Sequence, residues 1–137
     1  MPTEEFVRAQ FAIWETPDPV SWFTTALADN IKWIVPGKTN PLAGVYTSRE
    51  QVLGVFGTLM SKMAGPPETK VENVIASGYS AVVEMSFKAP TKNPLPGYDG
   101  PGFEQDMCWV CKYEGEKIVE LHCYIDTLGE KILFAQE

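Results

Sequence analysis

The sequence predicts a single α+β domain, with helices on one face of an antiparallel sheet. Two observations carry that prediction. Segments with helical periodicity fill the first half of the chain, and hairpin-linked segments with strand alternation fill the second. A length of 137 residues suits one domain, and 45% apolar with 21% charged residues is the balance of a chain that buries a core.

The elements follow in order. Residues 3–14 read as a helix. Thr3 can cap it, Glu4 and Glu5 suit its positive N-terminal end, and Phe6, Val7, Phe11 and Trp14 recur at helical spacing. Pro17 and Pro19 break the pattern, and a short second helix runs through Trp22, Phe23 and Leu27. Ala28, Asp29 and Asn30 read as a turn, residues 31–35 as a strand, and the stretch through Pro41, Gly44 and Tyr46 as a loop. Ser48 and Gln51 form a capping-box pair for a third helix, whose apolar side carries Val52, Val55, Phe56, Leu59, Met60 and Met63. Strands are predicted at 70–76, 79–88, 103–113 and 118–126, the last two joined by a tight turn at 114–117. The tail carries Leu128, Ile132, Leu133 and Phe134.

Alternation fixes which side chains face the core. In the last strand the inward set is Val119, Leu121, Cys123 and Ile125. In 79–88 it is Tyr79, Ala81, Val83, Met85 and Phe87, and in 103–113 it is Phe103, Gln105, Met107, Trp109, Cys111 and Tyr113. With Phe11, Trp14, Trp33, Phe56 and Met63 from the first half, these make an interior rich in aromatic rings and sulfur. Such a set suits plain core packing. It also suits the lining of a small-molecule pocket left by a half-closed sheet.

Charge and cysteine usage exclude several functions. A net charge of −7 repels phosphate backbones, so nucleic acid is not expected as a partner. No apolar run is long enough for a membrane span, and the acidic N-terminus lacks a signal peptide's basic and apolar regions, so a cytoplasmic protein is expected. Cys108 and Cys111 have C-x-x-C spacing, but within a strand such residues point to opposite faces, which argues against a metal or redox site. Gln105 is the one polar member of its inward row and is a candidate for orienting a substrate. His122 and Asp106 have outward parity. The long segment 89–102, rich in proline and glycine, is expected to overhang the pocket mouth, with Leu95 or Tyr98 on the ligand.

The runs 29–37 (DNIKWIVPG), 44–52 (GVYTSREQV), 114–120 (EGEKIVE) and 124–126 (YID) resemble the SnoaL-like branch of the nuclear-transport-factor-two-like superfamily. The resemblance covers roughly residues 6–133 as one SnoaL-like domain. It implies a cone of three helices against a curved sheet with a deep pocket, no metal or organic cofactor, and frequent homodimers. The implied function is that of a cofactor-independent isomerase, cyclase, rearrangement or epoxide-opening enzyme. Its substrate would be a bulky apolar polyketide- or terpenoid-type intermediate of natural-product biosynthesis. The alternative is a non-catalytic small-molecule binder or dimerising adaptor.

In the cyclases and the epoxide hydrolase of this superfamily a carboxylate on the last strand is the general base. Spacing from the hairpin turn puts Cys123 there, and a neutral thiol is a poor base. Candidate catalytic residues are therefore Tyr46, as a hydroxyl donor, Trp109, Cys123 and Glu84. Periodicity turns Met85 and Phe87 inward, whereas the alternative register brings Glu84 in as an acid–base group. Phe11, Trp14, Trp33, Phe56, Met63, Phe87, Gln105 and Met107 are the candidate substrate-binding residues.

Overall fold

The Thr3 hydroxyl accepts the Phe6 amide at 3.0 Å and stops the chain short of helical geometry, so α1 (Glu4–Phe11) starts one residue later. In this computed structural model, which describes residues 1–38, 40–95 and 102–135, the predicted first helix ends in a 3-10 turn (Ala12–Glu15) that holds Trp14 inward. Helix α2 (Val20–Thr25) buries Trp22 and Phe23. Helix α3 (Arg49–Ser61) has the expected cap at Ser48, whose Oγ accepts the Gln51 amide at 3.2 Å, but Gln51 Oε1 accepts the Thr47 amide at 2.7 Å, one residue before the Ser48 amide of a standard capping box. No helix among the described residues is long and apolar enough to cross a membrane.

Six strands form one sheet in the order β2-β1-β6-β5-β4-β3: β1 (Leu27–Val35), β2 (Gly44–Tyr46), β3 (Glu68–Ser77), β4 (Ser80–Pro90), β5 (Gly102–Glu114) and β6 (Lys117–Tyr124). The β3–β4 and β5–β6 hairpins each turn on a glycine at the first central position, Gly78 at φ 60° and Gly115 at φ 61°. The sheet is mixed, not wholly antiparallel as predicted. Strands β1 and β6 run parallel, because they come from opposite ends of the chain and no hairpin dictates their direction.

Other elements differ from expectation. The predicted turn at 28–30 lies within β1, and the predicted loop before α3 contributes β2. The tail folds as a fourth helix, α4 (Thr127–Phe134), with Asp126 Oδ1 accepting the Gly129 amide at 2.9 Å. Tyr79 is a turn residue and is exposed, because the turn falls at 78–79 instead of 77–78.

Three irregularities set the register, one in β6, one in β3 and one in β1 between Leu27 and Lys32. Lys112 pairs with Glu120 and Tyr113 with Ile118, so Val119 is the extra residue of β6. Strict alternation put Val119 inside and Ile118 outside. The bulge reverses them, and Ile118 is fully buried. A second bulge lies in β3 at Glu72. Beyond these points the inward rows are as alternation predicts: Ala81, Val83, Met85 and Phe87 of β4, and Phe103 through Tyr113 of β5, are all buried.

All four tryptophans meet in one cluster between the sheet and the helices. Trp22 is its hub, with ring centroids 5.2 Å from Phe11, 5.4 Å from Trp14, 5.3 Å from Phe23, 6.2 Å from Trp33 and 5.7 Å from Trp109. The site lies on top of this cluster.

Candidate active site

Above Trp22 the rings form a circuit. Centroid separations are 5.3 Å for Trp14–Trp109, 5.1 Å for Trp109–Trp33, 6.4 Å for Trp33–Phe23, 5.2 Å for Phe23–Phe56 and 5.5 Å for Phe56–Trp14. These rings, with aliphatic side chains of α3 and β1, line an apolar cavity of about 70 Å³. The indole N–H of Trp14 is buried and has no hydrogen-bond partner among the described residues.

Four polar or ionisable residues share the wall: Tyr46, Gln105, Cys123 and Glu130. Glu130 comes from α4 and is 1% exposed. Its Oε1 accepts a 3.0 Å hydrogen bond from Gln105 Nε2, while its Oε2 is buried with no partner among the described residues. Burial pushes its pKa up from 4.5 to about 7; the Gln105 hydrogen bond opposes that rise, and Asp126 adds to it. A carboxyl raised in this way, on a residue that lines an apolar cavity, can both take and give a proton.

Cys123 and Tyr46 are weaker candidates for proton transfer. Burial pushes the Cys123 thiol well above its ordinary range, Glu130 and Cys111 add to the shift, and hydrogen bonding from the Trp109 and Trp33 indoles opposes it without offsetting burial. Burial, with Cys123 as a smaller cause, also raises Tyr46, and its hydroxyl already donates to the Leu42 carbonyl at 2.6 Å.

The sequence matches the SnoaL-like domain family over residues 7–121. The chain belongs to that family. No curated protein sequence matches it. Solved structures agree on the fold of this SnoaL-like domain. A Xanthomonas campestris protein of unknown function with a cystatin-like fold is 18% identical, with a TM-score of 0.75 over 97% of this chain and 98% of its own. A Catenulispora acidiphila protein with a ketosteroid isomerase-like fold, solved in complex with trimethylamine, is 20% identical, with a TM-score of 0.67 over 90% and 86%. TerC, co-crystallised with polyporic acid, is 13% identical, with a TM-score of 0.72 over 95% and 96%.

The structure gathers most of the sequence-derived site residues. Tyr46, Trp109, Cys123, Trp14, Trp33, Phe56, Gln105 and Met107 all line the cavity of the SnoaL-like domain. Phe11 is buried below it, against Trp22 and Trp109. Met63 and Phe87 are buried but do not line it. Glu84 is an outer-face residue, exposed and accepting from Asn73 Nδ2 at 3.1 Å, because β4 keeps the register that turns Met85 inward. Glu84→Gln is therefore expected to leave both ligand binding and stability unchanged, the latter within about 0.5 kcal/mol. A tenfold loss of binding in calorimetry would overturn that placement.

Leu95 packs near Ser61, Lys62 and Leu133, away from the cavity, because the segment after β4 is tied to the end of α3 by Ala64 N–H to Pro90 O at 2.7 Å and Lys92 N–H to Lys62 O at 3.0 Å. Tyr98 lies outside the described residues. His122 and Asp106 are on the outer face, His122 3.3 Å from Glu120 Oε2. Glu130 is the residue that sequence reasoning missed. Its one signal is helical spacing, three residues before Leu133 and four before Phe134, which puts it on the apolar side of α4.

Proposed function

We propose that this SnoaL-like domain is a cofactor-independent enzyme that moves a proton on a small, largely apolar, oxygen-bearing molecule, with Glu130 as the acid–base group. The observation that carries this reading is a buried carboxyl with one unpartnered oxygen, on a residue that lines an aromatic cavity, and burial raises its pKa. Ionised Glu130 takes a proton from carbon beside a polarised oxygen, then returns it to another atom of the same molecule. The net reaction is an isomerisation or rearrangement. The unpartnered indole N–H of Trp14 is the available donor to the charge that grows on the substrate oxygen.

Size narrows the substrate. About 70 Å³ admits a ligand of few heavy atoms, and a polycyclic intermediate requires the lining side chains to move. Trimethylamine and polyporic acid, held by two proteins of this fold, differ widely in size and charge. The fold alone therefore does not choose the ligand, and the lining does. The small cavity also favours a second reading, a non-catalytic binder. Deuterium exchange separates the two. A panel of small enolisable ketones in D2O, followed by NMR, is expected to exchange with the native protein and not with Glu130→Gln. Equal exchange by both proteins, or by neither, would favour the binder.

The homodimer expectation has a candidate surface. Register aligns Val45, Ile34, His122, Val110, Val82 and Ile75 in one row across the outer face of all six strands. Its ends are open to solvent, Val45 at 55% and Ile75 at 53% exposed. A row of this kind matches itself in a second copy related by a two-fold axis. Val82→Glu is expected to shift the native protein from dimer to monomer in sedimentation velocity. A native protein that sediments as a monomer would refute the pairing.

A further inference from the structure

Gln105 belongs to β5, whose Met107 and Trp109 also line the cavity, and its side chain links that strand to the helix that carries the carboxyl. Its side-chain oxygen accepts the backbone N–H of Asp126 at 3.2 Å, which forces the amide nitrogen to point the other way, where it donates to Glu130 Oε1 at 3.0 Å. Asp126 is also the residue that begins α4: its carboxylate accepts the Gly129 amide, and its carbonyl accepts the Glu130 amide at 2.9 Å. The amide is thus oriented from one side by the helix start and holds the carboxyl on the other.

We propose that Gln105 is a positioning residue for Glu130, occupying one carboxyl oxygen so that Oε2 alone is left to exchange protons with a ligand. This rests on the reading of Glu130 as the acid–base group and adds what selects its reactive oxygen. It reverses the role the sequence suggested for Gln105, which was direct contact with substrate. Both oxygens of a carboxylate are otherwise equivalent. A fixed donor on one makes it the poorer base and aims the lone pairs of the other. Among the described residues no basic side chain lines the cavity, and this amide donates directly to the carboxyl and favours its ionised form.

The test is a carboxyl titration by NMR on protein labelled with carboxyl-13C glutamate, the Glu130 signal being assigned by its loss in Glu130→Gln. In the native chain the midpoint is expected near 7. Gln105→Met keeps the length and removes the donor, so the midpoint is expected to rise by roughly one pH unit or more. Gln105→Glu places a second carboxyl beside the first, and the pair is expected to titrate in two steps, one of them above the native midpoint. Phe103→Leu trims a buried ring two residues away on the same strand while keeping the Gln105 amide, and is expected to leave the midpoint in place.

An unmoved or lowered midpoint in Gln105→Met, or an equal rise in Phe103→Leu, would overturn the positioning role. A native midpoint in the ordinary carboxylate range would instead count against Glu130 as the acid–base group. The two failures are therefore distinguishable.

Discussion

Glu130→Gln is expected to give a protein that is more stable than the native one above pH 7 and inactive in proton exchange. The stability half follows from linkage. The unfolded chain releases this proton around pH 4.5 and the folded chain around 7, so between those values the folded state binds more protons. Stability from the buried neutral acid is complete below 4.5 and is lost as pH rises through 7. The full loss is about 3 kcal/mol. Glutamine has the shape of the neutral acid and cannot ionise, so the variant lacks that slope. Urea unfolding at pH 5 and at pH 8.5 measures it. The two proteins are expected to be close at the lower pH and separated by about 3 kcal/mol at the higher one. An identical slope in both would show that the carboxyl is solvated. The activity half follows from the proposed role, with a loss of about 10²- to 10⁴-fold in exchange rate. A residue that weakens the fold at working pH and is retained for its chemistry is the usual compromise of an active site.

Trp22→Ala is expected to be the most damaging single truncation, at about 3–5 kcal/mol. The side chain is fully buried and touches five other rings, so its removal empties the space beneath four of the cavity's lining rings, Trp14, Phe23, Trp33 and Trp109. Its indole N–H has no partner among the described residues, so Trp22→Phe breaks no hydrogen bond and is expected to cost less than Trp22→Ala. Phe56→Ala removes a ring that is only half-buried and is expected to cost less as well, while enlarging the cavity. Thermal unfolding of the three variants orders them. A Trp22→Ala cost of about 1 kcal/mol or less would mean that the cluster collapses onto the gap and is not a rigid floor.

The sequence by itself determined the fold class, the helix starts at Thr3 and Ser48, and the inward rows of β4 and β5. These depend on local chemistry: a hydroxyl in reach of a free amide, and side chains that alternate along a strand. From the same alternation it placed Trp109, Met107, Gln105 and Cys123 on the wall of one cavity, and the outward position of Glu84 as the favoured register. Only the tertiary structure decided three things. The bulge at Val119 exchanged two neighbours in β6, because a bulge answers to the partner strand and leaves no mark on its own. The parallel pairing of β1 with β6 joins segments far apart in sequence, with no turn between them to announce it. The burial of Glu130 was the third. An acidic residue in a short tail reads as solvated, and it becomes the proton-transfer candidate only when α4 docks over the cavity and lays it against Gln105. Strand patterns record a side chain's immediate environment, whereas a carboxyl's proton affinity is set by whatever the whole chain packs around it.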